Sequence, residues 1–277
     1  METLTDKILT STIRQRPADS YKGTYGRVTL IGGNRNFGGA ILMASAAAVY
    51  AGAGLVTTIT DASNQGSLHA RLPEAMFADI ADVSQTQALV QGTDVVVIGP
   101  GLGTDEAALQ VLTNVLRTVT PNQTLVIDGS AITLVAKYQL ALPQAHLIFT
   151  PHQMEWQRLS GIVIAEQTPT ANRQAVDRLH ATVVVKSHRT EIYTATQTYV
   201  NPLGTPAQAT GGMGDTLAGM IGGFTAQFTP QEQAVCAAVY THSAIAEELA
   251  QTQYVVLPSQ IAADLPRFMK AHEGTQA

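Results

Sequence analysis

The sequence is short of several things, and each shortage closes off a class of function. There is one cysteine, Cys236, in 277 residues. No intrachain disulfide can form, and its place in an apolar helical pattern marks it as inert core. Only 13% of the residues are charged and the net charge is −5, which argues against nucleic acid as the main partner. Hydrophobic residues reach 45%, yet no apolar run has the length of a membrane span, so no membrane partner is expected. The opening residues, with Glu2, Asp6 and Lys7, lack the basic-then-apolar order of a signal peptide, and the expected location is the cytoplasm.

Familiar site motifs are missing as well. No Gly-x4-Gly-Lys-Ser/Thr is present, which excludes a Walker-type nucleotide site. No Gly-x-Gly-x-x-Gly follows a strand pattern, so a dinucleotide fold of the Rossmann type has no direct support. The seven histidines show neither His-x3-His nor Cys/His clustering, against a protein-built zinc site. There is no Gly-x-Ser-x-Gly elbow.

What is present is a recurring unit: a short apolar run, a polar or glycine-rich stop, then a helical pattern. The runs are Val28–Ile31, Leu55–Ile59, Val95–Ile98, Leu125–Ile127, His146–Phe149 and Val183–Val185. They are apolar on both faces, the mark of a mostly parallel sheet covered on each side by helices. Glu191–Thr194 and Thr198–Val200 alternate instead, which predicts an antiparallel edge pair. Thr229-Pro230-Gln231-Glu232 reads as a capping box with proline at the first helical position, opening a long helix to about Ala250. The polar tail 271–277 is expected to fray. No linker or long-period repeat interrupts the pattern, so residues 1–277 are expected to form a single domain. The abundant alanine and glycine predict close helix packing or a subunit interface, and the alanine-rich segment near 40–51 together with the apolar last helix suggests a homo-oligomer.

In such a sheet ligands sit beyond the carboxyl ends of the strands. The strand-end signals Gly32-Gly33-Asn34, Gly99–Gly103, Asp128, Thr150-Pro151-His152 and Lys186 all fall there. The strongest signal is Ala209-Thr210-Gly211-Gly212-Met213-Gly214-Asp215-Thr216. Its glycines can bring bare backbone N–H groups close to a ligand. From Thr216 onward the pattern Leu217, Met220, Ile221, Phe224 predicts a helix beginning just after the glycines. The unpaired N–H groups and positive dipole of such an end suit a phosphate. Asp215 at the rim of this anion hole reads either as a helix cap or as a base taking a proton from a hydroxyl about to meet phosphate. Of the reaction types left by elimination, phosphoryl transfer fits best.

Thr210-Gly211-Gly212-Met213-Gly214-Asp215 closely resembles the Gly-x-Gly-Asp signature of the ribokinase-like superfamily. Lys22-Gly23, Gly32-Gly33-Asn34, Gly38-Gly39-Ala40, Gly99-Pro100-Gly101-Leu102-Gly103, Asp128, Thr150-Pro151-His152 with Glu155, and Lys186, in that order ahead of the signature, resemble its NAD(P)H-hydrate dehydratase branch. The resemblance runs from about residue 20 to 250. It implies a ribokinase-like three-layer α/β sandwich and an ADP-dependent repair enzyme acting on NADH hydrate or NADPH hydrate. In it Asp215 accepts the proton of the C6 hydroxyl, which attacks the terminal phosphate of ADP. Phosphate then leaves to give NAD(P)H, AMP and phosphate, with Mg²⁺ held mainly through the nucleotide phosphates. By position, Ala40, Gly103, His152 and Asp215 would contact the hydrate. Lys186, Ser187, His188, Arg189 and Thr190 would contact the nucleotide, together with Gly211, Gly212, Met213 and Gly214.

Plainer readings stand beside these. Ala40 is also a small first-turn residue, Gly103 a turn, His152 a helix cap, Glu155 a complement to a helix dipole, and Asn34 a turn former. Asp128 reads as a cap or a supporting residue rather than a base. For Lys186 at the end of an apolar strand, an unpaired charge is expensive, which favours a phosphate partner. The chain departs from the family pattern at Ser130 (usually Asp), Met154 (usually Gly), Ser187 (usually Gly) and Thr205 (usually Asn). A ribokinase-like kinase for a thiazole or pyrimidine alcohol, and a nucleotide-binding protein without turnover, are the alternatives.

Overall fold

The computed structural model describes residues 1–274. The six apolar runs, the alternating pair and two segments that showed neither pattern become strands: β1 Glu2–Thr3, β2 Arg27–Ile31, β3 Leu55–Thr60, β4 Met76–Asp79, β5 Val95–Ile98, β6 Thr124–Ile127, β7 His146–Phe149, β8 Thr182–Val185, β9 Glu191–Tyr193 and β10 Thr198–Val200. They form one sheet in the order β1-β10-β9-β8-β7-β6-β5-β2-β3-β4. From β4 to β8 every neighbouring pair is parallel, while β9 runs antiparallel to both β8 and β10. The alternating pair is antiparallel as expected but does not form the edge, because Glu2 and Thr3 add a further parallel strand outside β10.

The helices are α1 Lys7–Thr12, α2 Gly38–Tyr50, α3 Gln65–Arg71, α4 Val83–Gln91, α5 Glu106–Thr118, α6 Gly129–Tyr138, α7 Gln153–Ser160, α8 Pro169–Leu179, α9 Met213–Gln227, α10 Gln231–Ala250 and α11 Pro258–Ala271. Side chains alternate across each strand, so a single strand feeds two cores. Val95 and Val97 enter a core built with α1, α2, α3, α9, α10 and α11. Val96 and Ile98 enter a second core on the other face, built with α4 to α8. Helices, sheet and helices make three layers, the ribokinase-like sandwich.

The small residues serve helix packing inside the chain. A Cβ on Gly219 would land on the backbone carbonyl of Ala44, and one on Gly223 would lie 2.8 Å from Ala51 Cβ. Ala44, Ala47, Ala48 and Ala51 are all buried, so α2 and α9 touch nearly backbone to backbone. The buried alanines of α2 therefore serve packing within the chain.

One other local expectation fails, and a second fails over the residues that are described. Pro230 precedes α10 as its N-cap residue, and no side-chain cap hydrogen bond forms there. The Glu232 carboxylate instead accepts from Ala195 N–H and Thr196 Oγ1 across the fold. At the C-terminus, Ala271 closes α11, and Gly274 pairs with the Arg14 segment through its N–H to the Ile13 carbonyl; positions 275–277 of the tail expected to fray lie outside the described residues.

Candidate active site

The glycine turn leads straight into α9, which starts at Met213, earlier than the apolar spacing suggests. Gly212 is its N-cap residue with φ +97°, a left-handed conformation that glycine adopts without cost. The first helical hydrogen bond runs from Thr216 N–H to the Gly212 carbonyl. The N–H groups of Met213, Gly214 and Asp215 thus stand ahead of the ladder, at the positive end of a 15-residue helix. Asp215 is the third residue of that helix and makes no capping hydrogen bond, so the cap reading of this residue fails.

The carboxyl of Asp215 is held in an unusual state. Its pKa is raised from 3.8 to about 6, first by burial and then by the negative charge of Asp128, with Glu155 adding and Lys186 opposing. A carboxylate tuned toward neutrality is suited to accept and pass on a proton at cellular pH.

Lys186, for which a phosphate partner is expected, has a partner within the protein. Its Nζ donates to Asp128 Oδ1 at 2.8 Å, and Thr150 Oγ1 donates to the same oxygen at 2.6 Å. Asp128 holds the N-cap position of α6 but makes no capping bond; its side chain, 3% exposed, is committed to the lysine. Burial pulls the Lys186 ammonium down, and Asp128, Glu155 and Asp215 more than offset it, so the pKa is raised and the charge retained. The ammonium also borders the anion hole: a Cβ on Gly214 would lie 3.1 Å from Lys186 Nζ.

His152 caps α7. Its Nδ1 accepts from Met154 and Glu155 N–H, while Glu155 Oε2 accepts from His152 N–H at 2.8 Å. With Nδ1 used as an acceptor, the ring proton of the neutral form sits on Nε2, 3.5 Å from Glu155 Oε1 on a half-exposed side chain. The cap reading holds, and it leaves Nε2 as the donor of the ring. The chain from His152 to Lys186 is tied by a parallel bridge, with Lys186 N–H on the Pro151 carbonyl at 2.8 Å.

Ala40 and Gly103 gather at the ends of β2 and β5. A Cβ on Gly101 would lie 3.0 Å from Ala40 Cβ, and one on Gly103 would lie 2.7 Å from Asn34 Nδ2. Asn34 makes the expected turn, its Oδ1 accepting from Asn36 and Phe37 N–H.

A cavity of about 690 Å³ opens beside the anion hole. Lys186, Ser187, His188, Arg189, Thr190, Met213 and Gly214 all line it. Gly211 and Gly212 do not, nor do Ala40, Gly103, His152 and Asp215. The segment Lys186–Thr190 is therefore brought together with Met213 and Gly214 in one cavity, and the four expected hydrate contacts lie outside its lining. The cavity also has walls that the sequence reading did not name: Leu203 to Pro206, Gln208 and His242. Burial lowers the His242 pKa to about 4, so the ring is neutral, with Nδ1 3.3 Å from Gln208 Nε2. The altered Gly-Thr-Pro at 204–206 was the available signal for this wall; His242 had none.

The four departures are accommodated. Ser130 Oγ accepts from Gly103 N–H at 3.3 Å. Met154 points to solvent at 39% exposure. Ser187 Oγ accepts from Arg189 N–H and donates to the Arg189 carbonyl, closing its own turn. Thr205 Oγ1 accepts from Ala207 N–H and caps the short turn Pro206–Gln208.

Known proteins resemble the chain over most of its length. A family model described as NAD(P)H-hydrate dehydratase matches residues 28–267. The ADP-dependent (S)-NAD(P)H-hydrate dehydratase of Lactiplantibacillus plantarum is 60% identical over 269 residues, covering 97% of this chain and 97% of the relative. Among solved structures, a ribokinase-like superfamily protein from Enterococcus faecalis superposes with a TM-score of 0.97 at 49% identity, over 98% of this chain and 96% of that one. The ADP/ATP-dependent NAD(P)H-hydrate dehydratase of Bacillus subtilis, co-crystallised with ATP and Mg²⁺, gives 0.88 at 30% identity, over 98% and 99%.

Proposed function

The chain belongs to the NAD(P)H-hydrate dehydratase family, and on that premise we propose how its residues carry out ADP-dependent dehydration of hydrated nicotinamide cofactors. ADP occupies the cavity along Lys186–Thr190, with its terminal phosphate against the free N–H groups of Met213, Gly214 and Asp215. The hydrated ring lies on the other side of the start of α9, against Ala40 and Gly103, with His152 Nε2 as a donor to it.

Asp215 takes the proton of the C6 hydroxyl. The oxygen attacks the terminal phosphorus of ADP and the bond to the bridging oxygen breaks, releasing AMP. The lone pair of the ring nitrogen then expels phosphate from C6, and loss of a proton from C5 restores the double bond of NAD(P)H. One observation carries this reading: a carboxyl with a pKa of about 6 stands in the first turn of the helix whose open end adjoins the cavity.

Magnesium fits as the counter-ion of the nucleotide. Among the described residues no group of three His, Cys, Asp or Glu side chains could hold a metal ion. Asp128 is already engaged by Lys186 and Thr150, and Glu155 by His152. The ion, bound to phosphate oxygens, supplies charge neutralisation there. No described helix is long and apolar enough to cross a membrane, and we place the enzyme in the cytoplasm, as one domain, acting on NADH hydrate or NADPH hydrate.

The test is a coupled measurement with purified protein, ADP or ATP, Mg²⁺ and NADH hydrate. Recovery of reduced-nicotinamide absorbance with an equal amount of AMP from ADP supports the reading. Nucleotide consumed only with another alcohol would make the protein a kinase, and binding without turnover would remove catalysis altogether.

A further inference from the structure

We propose that Asp128 is a positioning residue for the phosphoryl-transfer step, holding the Lys186 ammonium at the seam between the nucleotide cavity and Asp215, with Thr150 fixing Asp128 in turn. The proposal rests on the reading of Asp215 as base and of the cavity as the nucleotide site.

Geometry carries it. Lys186 follows β8 and Asp128 follows β6, two strands away in the sheet, so a long side chain must reach sideways across the strand ends to make the 2.8 Å contact. That reach lays the ammonium against Gly214, on the helix turn that carries Asp215. Without Asp128 the flexible stem of a lysine has several rotamers open to it, and the cavity wall is the other place its charge could settle. Thr150, fully buried at the end of β7 between the two, donates to the same Asp128 oxygen and leaves the carboxylate little freedom. A cation fixed at that point faces the phosphate as it passes from nucleotide to hydroxyl, where charge develops in the transition state.

The electrostatics give a signature that a merely structural pair would lack. Asp215 faces Asp128 beyond β6, Glu155 on α7 and Lys186 beyond β8; Lys186 in turn faces Asp128, Glu155 and Asp215, and its charge is felt by His242 on α10. Removing the charge of Asp128 deletes a neighbour that raises the Asp215 pKa, while a displaced Lys186 withdraws the smaller, opposing effect of its own charge. The net change favours the carboxylate, so the acid limb of the rate profile must move to lower pH.

The experiment compares wild type, Asp128→Asn and Thr150→Val by turnover of NADH hydrate from pH 5 to 8 and by ADP titration calorimetry, with thermal melts to verify folding. For Asp128→Asn, kcat should drop about a hundredfold, the scale of a catalytic group displaced by an ångström, and the acid limb should shift downward. The ADP dissociation constant should stay within a few-fold. Thr150→Val should do the same to a smaller degree, and it decides the matter if the asparagine variant does not fold. An active wild type beside variants with unchanged kcat and an unmoved acid limb overturns the proposal alone. Loss of ADP affinity with kcat retained also overturns it, by making the pair part of the nucleotide site. A wild type that converts no hydrate removes the parent reading, and this proposal with it.

Discussion

Replacing Asp215 by asparagine should abolish turnover and at the same time make the free protein more stable. In the folded chain this carboxyl has a pKa of about 6 against an ordinary 3.8, chiefly because it is buried. The folded state therefore holds the proton more tightly than the unfolded state. Its stabilising contribution is complete below about pH 3.8 and is lost as the pH rises through about 6. Above that, the ionised acid weighs against folding. At about 1.4 kcal/mol per pH unit the gap sets a ceiling of about 3 kcal/mol, and residual contact with water lowers the expected effect to about 1–2 kcal/mol. Asparagine keeps the shape and carries no charge. The variant should therefore gain about that much at pH 7.5 and nothing near pH 4, read by urea melts of both proteins without nucleotide across that range. Turnover should fall by about 10²–10⁴-fold, the usual contribution of a general base, while ADP still binds. For the wild type, kcat/KM should drop about tenfold per pH unit below pH 6. A variant less stable than wild type at pH 7.5, or a gain that does not change with pH, refutes the burial argument; turnover within tenfold of wild type refutes the base.

Lys186→Met should weaken ADP binding by about ten- to a hundredfold, as expected for a charged hydrogen-bonding group lost from a phosphate site, and calorimetry that finds the affinity unchanged would take Lys186 out of contact with the nucleotide. Gly219→Ala tests the contact of α2 with α9: helix propensity alone predicts a gain of about 1 kcal/mol, whereas collision with the Ala44 backbone predicts a loss of about 1–3 kcal/mol in a urea melt. His152→Ser retains a good N-cap residue for α7 but removes the Nε2 donor, so its melting temperature should match wild type while KM for the hydrate rises; an unchanged KM would leave His152 as a cap and nothing more.

Much of this was legible in the sequence because parallel strands buried on both faces leave continuous apolar runs, and their stops fall at one end of the sheet. Thus Val95–Ile98 could be read as a strand, and Gly99–Gly103 and Asp128 as neighbours in space. Elements without an apolar run of that kind were not legible. Glu2–Thr3 is a strand only because β10 offers it a partner, and Met76–Asp79 is half exposed at the other edge. The start of α9 was misplaced because Met213, Gly214 and Asp215 contribute little to an apolar stripe, though their backbone is already helical. The partner of Lys186 was missed for a different reason. Local sequence shows that a buried ammonium needs a counter-charge, but not whether the protein or the ligand provides it, and the 58 residues between Lys186 and Asp128 hide the answer until the strands are ordered.

That pairing changes how the charge of the site is understood. One ammonium, Lys186, stands among three carboxylates, Asp128, Glu155 and Asp215. A site so balanced repels a nucleotide phosphate unless the amides at the start of α9 and a cation carried by the nucleotide outweigh the carboxylates. The same excess of negative charge raises the proton affinity of Asp215. Arrival of phosphate deepens that excess and should raise the affinity further, while the accompanying cation counters it. Nucleotide without its metal should therefore bind weakly and move the acid limb upward, and nucleotide with magnesium should bind tightly and leave the limb near pH 6. ADP titrations with and without Mg²⁺, paired with rate profiles at two Mg²⁺ concentrations, distinguish this from a site in which Lys186 alone neutralises the phosphate; in that case affinity and limb would be indifferent to the metal.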